Sequence, residues 1–362
     1  EPAYVELHAE VRDELWKIMW EVEDLAKQHF SFAIPANKVD ERFSKMCTEY
    51  MTPELQLIVD CVAVGGPNAE EGWKELFVDP ELRQALVCGI VGNVIVEQVF
   101  KTLVFGANDV QKKVVHEIHE KTKNEDSFDR TRAYANAIKQ FLPASTLPTL
   151  FSTHIQTLTL RLYTLLLPLL TLSHGTPPSI PKRPSPTHTT LSQQTLDTTI
   201  SSLFSLLTRA ACLSIALRLD SSSVYHFPQT PKDGCYASSN MECFNNTTMA
   251  CTNPKSRAWP AAVPPAERQR ALDDAPLIRI TCMDACHVYR RGGWEGEESD
   301  PGWKELGIRS RQLTQAWVAC RWGRSRCWER GQKADRREVH GEKWAEPGFV
   351  EFRDVVEGEK RR

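Results

Sequence analysis

His116-Glu117-Ile118-His119-Glu120 is the part of the chain that most resembles a metal-binding box. A helical zinc box needs two imidazoles four positions apart, so that both reach one ion from one face. Here the spacing is three and no third ligand is near, which predicts a solvated helix face. Cys235, Cys243 and Cys251 recur every eight residues, and Cys282, Cys286-His287, Cys320 and Cys327 add soft donors. Structural zinc is usually delivered by tight Cys-x-x-Cys knuckles, and none occurs here. The expectation is unconnected thiols, ahead of disulfides and of zinc, so no metal ligand and no cofactor is assigned. No Ser, His and Asp fall into a local nucleophile signature, so no catalytic residue is assigned and the sequence leans away from an enzyme.

Other residues suit binding rather than reaction. Pro178, Pro181 and Arg183 form a PxxPxR pattern, the type of polyproline segment that an aromatic groove reads. Ser185-Pro186 beside it is a site for proline-directed phosphorylation. Arg309, Arg311, Arg321, Arg324 and Arg326 interleave with Trp317 and Trp322, combining cations for phosphates with indoles for base stacking. A single-stranded nucleic acid is the partner such a surface would take. A solvated basic tail gives the same texture, as does a reading-frame artefact, because Arg, Gly, Trp and Glu all draw on G-rich codons. Asn245 and Asn246 each open a glycosylation sequon, which matters only in a secreted chain.

The elements that must hold these residues follow three compositions. Up to about Leu142 the chain is charged and amphipathic. From Pro143 to about Leu219 it is Leu, Thr, Ser and Pro, and no Glu occurs between Glu125 and Glu242. From Ala266 onward it is Arg, Trp, Gly and Glu. The 362 residues suffice for one large or two ordinary domains, and a net charge of -3 implies no strong global field. Cys47, Cys61 and Cys88 are expected on apolar helix faces, as thiols of a reduced, intracellular protein of cytoplasm or nucleus.

Leu7, Val11, Leu15, Ile18, Val22 and Leu25 recur at spacings of four and three, predicting one amphipathic helix over Tyr4–Phe30. A bundle helix is the reading; a self-associating coiled coil is the sharper alternative. Thr52-Pro53-Glu54 and Asp79-Pro80-Glu81 pair a capping side chain with a proline at the first helical position. The second opens a helix to about Phe105 that is apolar almost all round and should be central. Gly89 and Gly92 lie inside it, at a cost of about 1 kcal/mol each relative to Ala, and a neighbouring helix crossing closely is the expected compensation. Helices are also predicted at about 109–123, 128–142, 149–172 and 191–219. The third of these contains Arg161, His154 and Pro168, so a buried core helix is preferred to a membrane span. Leu277–Cys282 alternates as a strand, with His287–Tyr289 as its expected partner.

The run from Leu86 to Gly106, with Tyr289–Trp294 and Trp317–Gly323, resembles uncharacterised predicted proteins of filamentous fungi. The resemblance spans Tyr4 to about Trp322 and implies no activity. The fold expected is mainly α: a multi-helix bundle with disordered insertions and a small irregular, β-containing C-terminal part. Residues 1–142 form its first part, and 143–219 pack on it around a Pro-rich linker at 173–190. A disordered loop at 220–265, a small irregular segment at 266–326 and a disordered tail at 327–362 complete the chain. The function expected is that of a non-enzymatic interaction or scaffold protein, with protein partners meeting apolar helix faces or the Pro-rich linker. The alternative is a nucleic-acid-associated regulator using 304–337, and the third reading is an enzyme whose site assembles only in three dimensions.

Overall fold

The computed structural model describes residues 3–142, 146–174, 190–292, 301–323 and 350–362. It is mainly helical, with a small part of two three-stranded sheets toward the C-terminus. The first half is α1 (Ala3–Phe30), α2 (Val39–Lys45), α3 (Pro53–Val62), α4 (Ala69–Val78), α5 (Pro80–Ile95), α6 (Asp109–Thr122) and α7 (Ser127–Phe141). Then come α8 (Phe151–His174) and α9 (Thr190–Leu219). Both helix starts read from the sequence are built as expected. Thr52 Oγ1 accepts from the Leu55 N–H at 3.1 Å, and Asp79 Oδ1 accepts from the Leu82 N–H at 2.9 Å.

Helix α5 is the central element. From Leu82 to Ile95 nearly every side chain is buried, because α1, α3, α4 and a sheet surround it. The element that crosses at its glycines is a strand, which corrects the expectation of a helix. A Cβ on Gly89 would sit 2.9 Å from the Thr281 carbonyl oxygen, and one on Gly92 would overlap the Cys282 carbonyl oxygen. Backbone approaches this close admit only glycine.

The strands form two sheets. In one, β1 (Ser223–His226), β4 (Cys286–Arg291) and β5 (Ile308–Thr314) pair antiparallel in the order β1-β4-β5. In the other, β6 (Ala316–Gly323) lies between β2 (Met241–Cys243), parallel to it, and β3 (Ala275–Met283), antiparallel. The segment at Leu277–Cys282 is a strand as expected, but its partner is β6, and His287–Tyr289 belongs to the other sheet. Residues 220–265, expected as a disordered loop, hold β1, β2 and the short helices α10 (Asn246–Cys251) and the start of α11 (Pro265–Ala271). These pieces are too short to show periodicity and gain their order from pairing. The described residues of the 266–326 segment, expected as irregular, are mostly sheet.

The end of the chain also departs from expectation. Helix α12 (Phe352–Arg361) docks on α3 and α4. Phe352 is 0% exposed and stacks on Phe77 at 5.2 Å between ring centroids, while the Trp73 indole N–H donates to the Val350 carbonyl at 2.7 Å. Residues 324–349 lie outside the described residues.

Arginines close several helix ends. Arg83 of α5, fully buried, donates to the Phe30 carbonyl ending α1 at 2.9 Å, to the Phe77 and Val78 carbonyls ending α4 at 2.8 and 3.1 Å, and to Phe32. Burial lowers its pKa to about 10, and it remains a cation near neutrality. Arg42 donates to the Leu172 and Ser173 carbonyls near the end of α8, both at 2.7 Å. The last carbonyls of a helix lack partners within it, and guanidinium groups supply them here.

Candidate functional site

Three places carry chemistry or shape beyond what folding needs. The first is a polar cluster between the start of α1 and β1. His8 Nε2 lies 3.0 Å from Ser223 Oγ, within reach for a base and a nucleophile. Asp220 accepts from the Ser222 hydroxyl at 2.8 Å and the Tyr225 hydroxyl at 2.9 Å. Asp220 thus sits on the serine side and accepts from hydroxyls, whereas a catalytic triad puts its carboxylate behind the imidazole. His8 and Ser223 are each 1% exposed, so no substrate reaches them in this conformation. Burial holds the His8 pKa below its usual value, with the Arg290 and Arg311 charges adding to the effect and Asp220 opposing it. The arrangement can fasten α1 to the β1 sheet and respond to protons.

The second is a thiol cluster. Of the three cysteines spaced eight apart, Cys235 and Cys251 are exposed and apart, while Cys243 at the end of β2 packs on the small apolar cluster that contains Cys320. Asn245 joins the two. Its Oδ1 accepts from the Cys320 N–H at 2.8 Å and from the Cys243 thiol at 3.4 Å, and its Nδ2 donates to the Cys320 carbonyl at 2.9 Å. That side chain is buried, so the sequon at Asn245 is closed to glycosylation in the fold, whereas Asn246 is exposed. Cys47 and Cys88 are buried as expected; Cys61, expected on an apolar face, is exposed on α3. Among the described residues no three His, Cys, Asp or Glu side chains gather as a metal site. His116 is exposed, and His119 Nδ1 is 2.7 Å from the Tyr134 hydroxyl of α7.

The third is an apolar groove of about 660 Å³ on the outer side of α9 where it meets α1. Phe204, Ser205, Cys212, Leu213 and Ala216 line it, and the Thr208 hydroxyl turns back to the Phe204 carbonyl at 2.7 Å, leaving its methyl outward. Phe204 is 40% exposed. On one rim Arg209 pairs with Glu21 at 2.8 Å and Glu14 at 3.1 Å, so the charges there are spent on each other. Three stretches, Pro80–Phe100, Phe151–Ser173 and Asp197–Leu219, are long and apolar enough to cross a membrane by length and composition. The first is enclosed by the bundle and sheet; the last is half buried, and its open half carries the groove.

Among the described residues, the Arg and Trp side chains nominated for nucleic acid do not form one surface. Arg309 and Arg311 are exposed on β5. Trp317 is 6% exposed, inside the core, and cannot stack on a base. Arg321 pairs with Asp233, both largely buried, and the Trp322 indole N–H donates to the Met249 carbonyl at 3.0 Å. Arg324 and Arg326 lie outside the described residues, as do Pro178, Pro181 and Arg183.

His8 and Ser223 escape sequence reasoning because they lie 215 positions apart and no local motif marks them, and the sequon at Asn245 says nothing of its bonds to Cys320, 75 positions away. The groove had a signal: Ser205, Cys212 and Ala216 recur on one face of a helix whose charged residues are few. Compared with known proteins, the chain matches no family, no curated protein and no solved structure.

Proposed function

We propose that this is a non-enzymatic interaction protein that offers the α1–α9 groove to an apolar helical segment of a partner protein. The observation that carries the reading is a contrast in access. The His8–Ser223 pair is enclosed, while the groove on α9 is open, apolar and free of unpaired charge on its floor. A groove between helices with aromatic and small side chains suits the apolar face of an amphipathic helix. Phe204 is the natural anchor, since large aromatic side chains dominate the energetics of such contacts.

The test compares wild type with Phe204→Asp in co-purification from the native cell and in flotation with neutral phospholipid vesicles. The reading expects a defined protein partner that is lost in the variant, with helicity and melting unchanged. Vesicle binding lost in the variant, without a protein partner, would replace this reading with a membrane-surface one. Salt-sensitive binding of single-stranded nucleic acid lost on Arg309→Glu with Arg311→Glu would favour the regulator instead.

A further inference from the structure

Cys243 and Cys320 are 77 positions apart, and the parallel pairing of β2 with β6 brings them together. Cys243 stands beside Val318 in register, and Cys320 is two residues further along the same strand. Alternation puts Val318 and Cys320 on one face of β6. Both belong to the small apolar cluster with Met249 and Ile278, and Cys243 packs against that cluster. Asn245 ties the Cys243 thiol to the backbone of Cys320 from both its amide atoms. Access is unequal, since Cys243 is half-buried and Cys320 is 3% exposed.

We infer that Cys243 and Cys320 form a redox-active dithiol, in which Cys243 meets a hydroperoxide and Cys320 resolves the product into a disulfide between β2 and β6. The electrostatics agree with this division. A hydrogen bond from the Cys320 thiol holds the Cys243 pKa below the ordinary thiol range, with backbone N–H groups of Asn245 and Cys320 assisting against the opposing effect of burial. The same bond, and then burial, drives Cys320 far upward. The thiolate is the nucleophile, so the attacking sulfur is the more accessible and more acidic of the two. In the first step the Cys243 thiolate attacks the O–O bond: an S–O bond forms, the O–O bond breaks, and the departing alkoxide or hydroxide takes a proton. In the second the Cys320 sulfur attacks the sulfenic sulfur: the S–S bond forms, the S–O bond breaks, and hydroxide leaves as water with the Cys320 proton. Two thiols and one hydroperoxide give one disulfide, one alcohol (water, for hydrogen peroxide) and one water.

The test uses the full chain. Folded protein is treated with a small excess of hydrogen peroxide, blocked with an alkylating reagent and digested without reductant. The expected result is one cross-linked peptide pair containing Cys243 and Cys320, two hydrogens lighter than the sum of its parts. Without peroxide, Cys243 should alkylate several-fold faster at neutral pH than the exposed Cys61, Cys212, Cys235 and Cys251. In Cys320→Ala that advantage should vanish and peroxide should leave a dimedone-reactive sulfenic acid at Cys243. Cys243→Ser, at a half-exposed position, gives the cross-link control if the core variant does not fold. A disulfide from Cys243 to any other cysteine overturns the inference, as does alkylation no faster than at the exposed thiols or sulfenic acid accumulating in the wild type.

Discussion

Gly92 of α5 rests against the main-chain carbonyl of Cys282 in β3, with no room for a Cβ between them. The helix and the sheet therefore meet backbone to backbone at the centre of the molecule. Alanine is the better helix former by about 1 kcal/mol, so an unpacked site would gain from the change. Gly92→Ala should instead lose about 1–3 kcal/mol, the usual cost of overpacking a core. Gly89→Ala, with its nearest oxygen at 2.9 Å, should lose less. Urea denaturation midpoints of the two variants check the order.

Arg83 satisfies carbonyls at the ends of two helices with one buried cation. Arg83→Met keeps the bulk and strands those acceptors, each at about 1–3 kcal/mol. A total loss of about 3 kcal/mol or more is expected. Arg83→Lys should recover little, because an ammonium cannot reproduce the fork. Equilibrium unfolding in urea is the measurement.

The two glycines and the two capped helix starts were legible because helix chemistry is local. Asp79, Pro80 and the apolar run after them state where α5 begins and that it is enclosed. What encloses it was not legible: β3 reads as a strand, but nothing local says that it crosses α5 or pairs with β6. The three residues of β2 are too few to show a period, and its register depends on a strand more than 70 positions later. The contact between His8 and Ser223 spans 215 positions, and neither residue sits in a motif. Phe352, Val355 and Val356 did carry a signal, an apolar stripe at helical spacing, submerged in a charged C-terminal segment.

That stripe leads to a test of the C-terminal segment. Phe352 fills a site between Trp73 and Phe77. Phe352→Ala should lower stability by about 3–5 kcal/mol, as deletion of a buried aromatic side chain does. Phe352→Leu should restore much of it. Thermal or urea unfolding unchanged in Phe352→Ala would mean that α12 does not dock.

Burial holds His8, His29, His154 and His287 below the ordinary histidine pKa of 6.5. The unfolded chain then binds protons first as the pH falls, so the unfolded state gains below about 6.5. Stability should be at its full value above that pH and decline as the pH drops toward 5. His8→Gln should flatten part of the decline, read from urea midpoints at several pH values.

Whether the outer face of α9 meets a partner can be read directly by placing a photo-activated amino acid at Ser205, in the groove, and at Lys113, exposed on α6. In the native cell the account predicts a discrete protein adduct from position 205, none of that mass from position 113, and loss of the adduct when Phe204→Asp is added. Equal labelling from the two positions, or an adduct indifferent to Phe204→Asp, would contradict it.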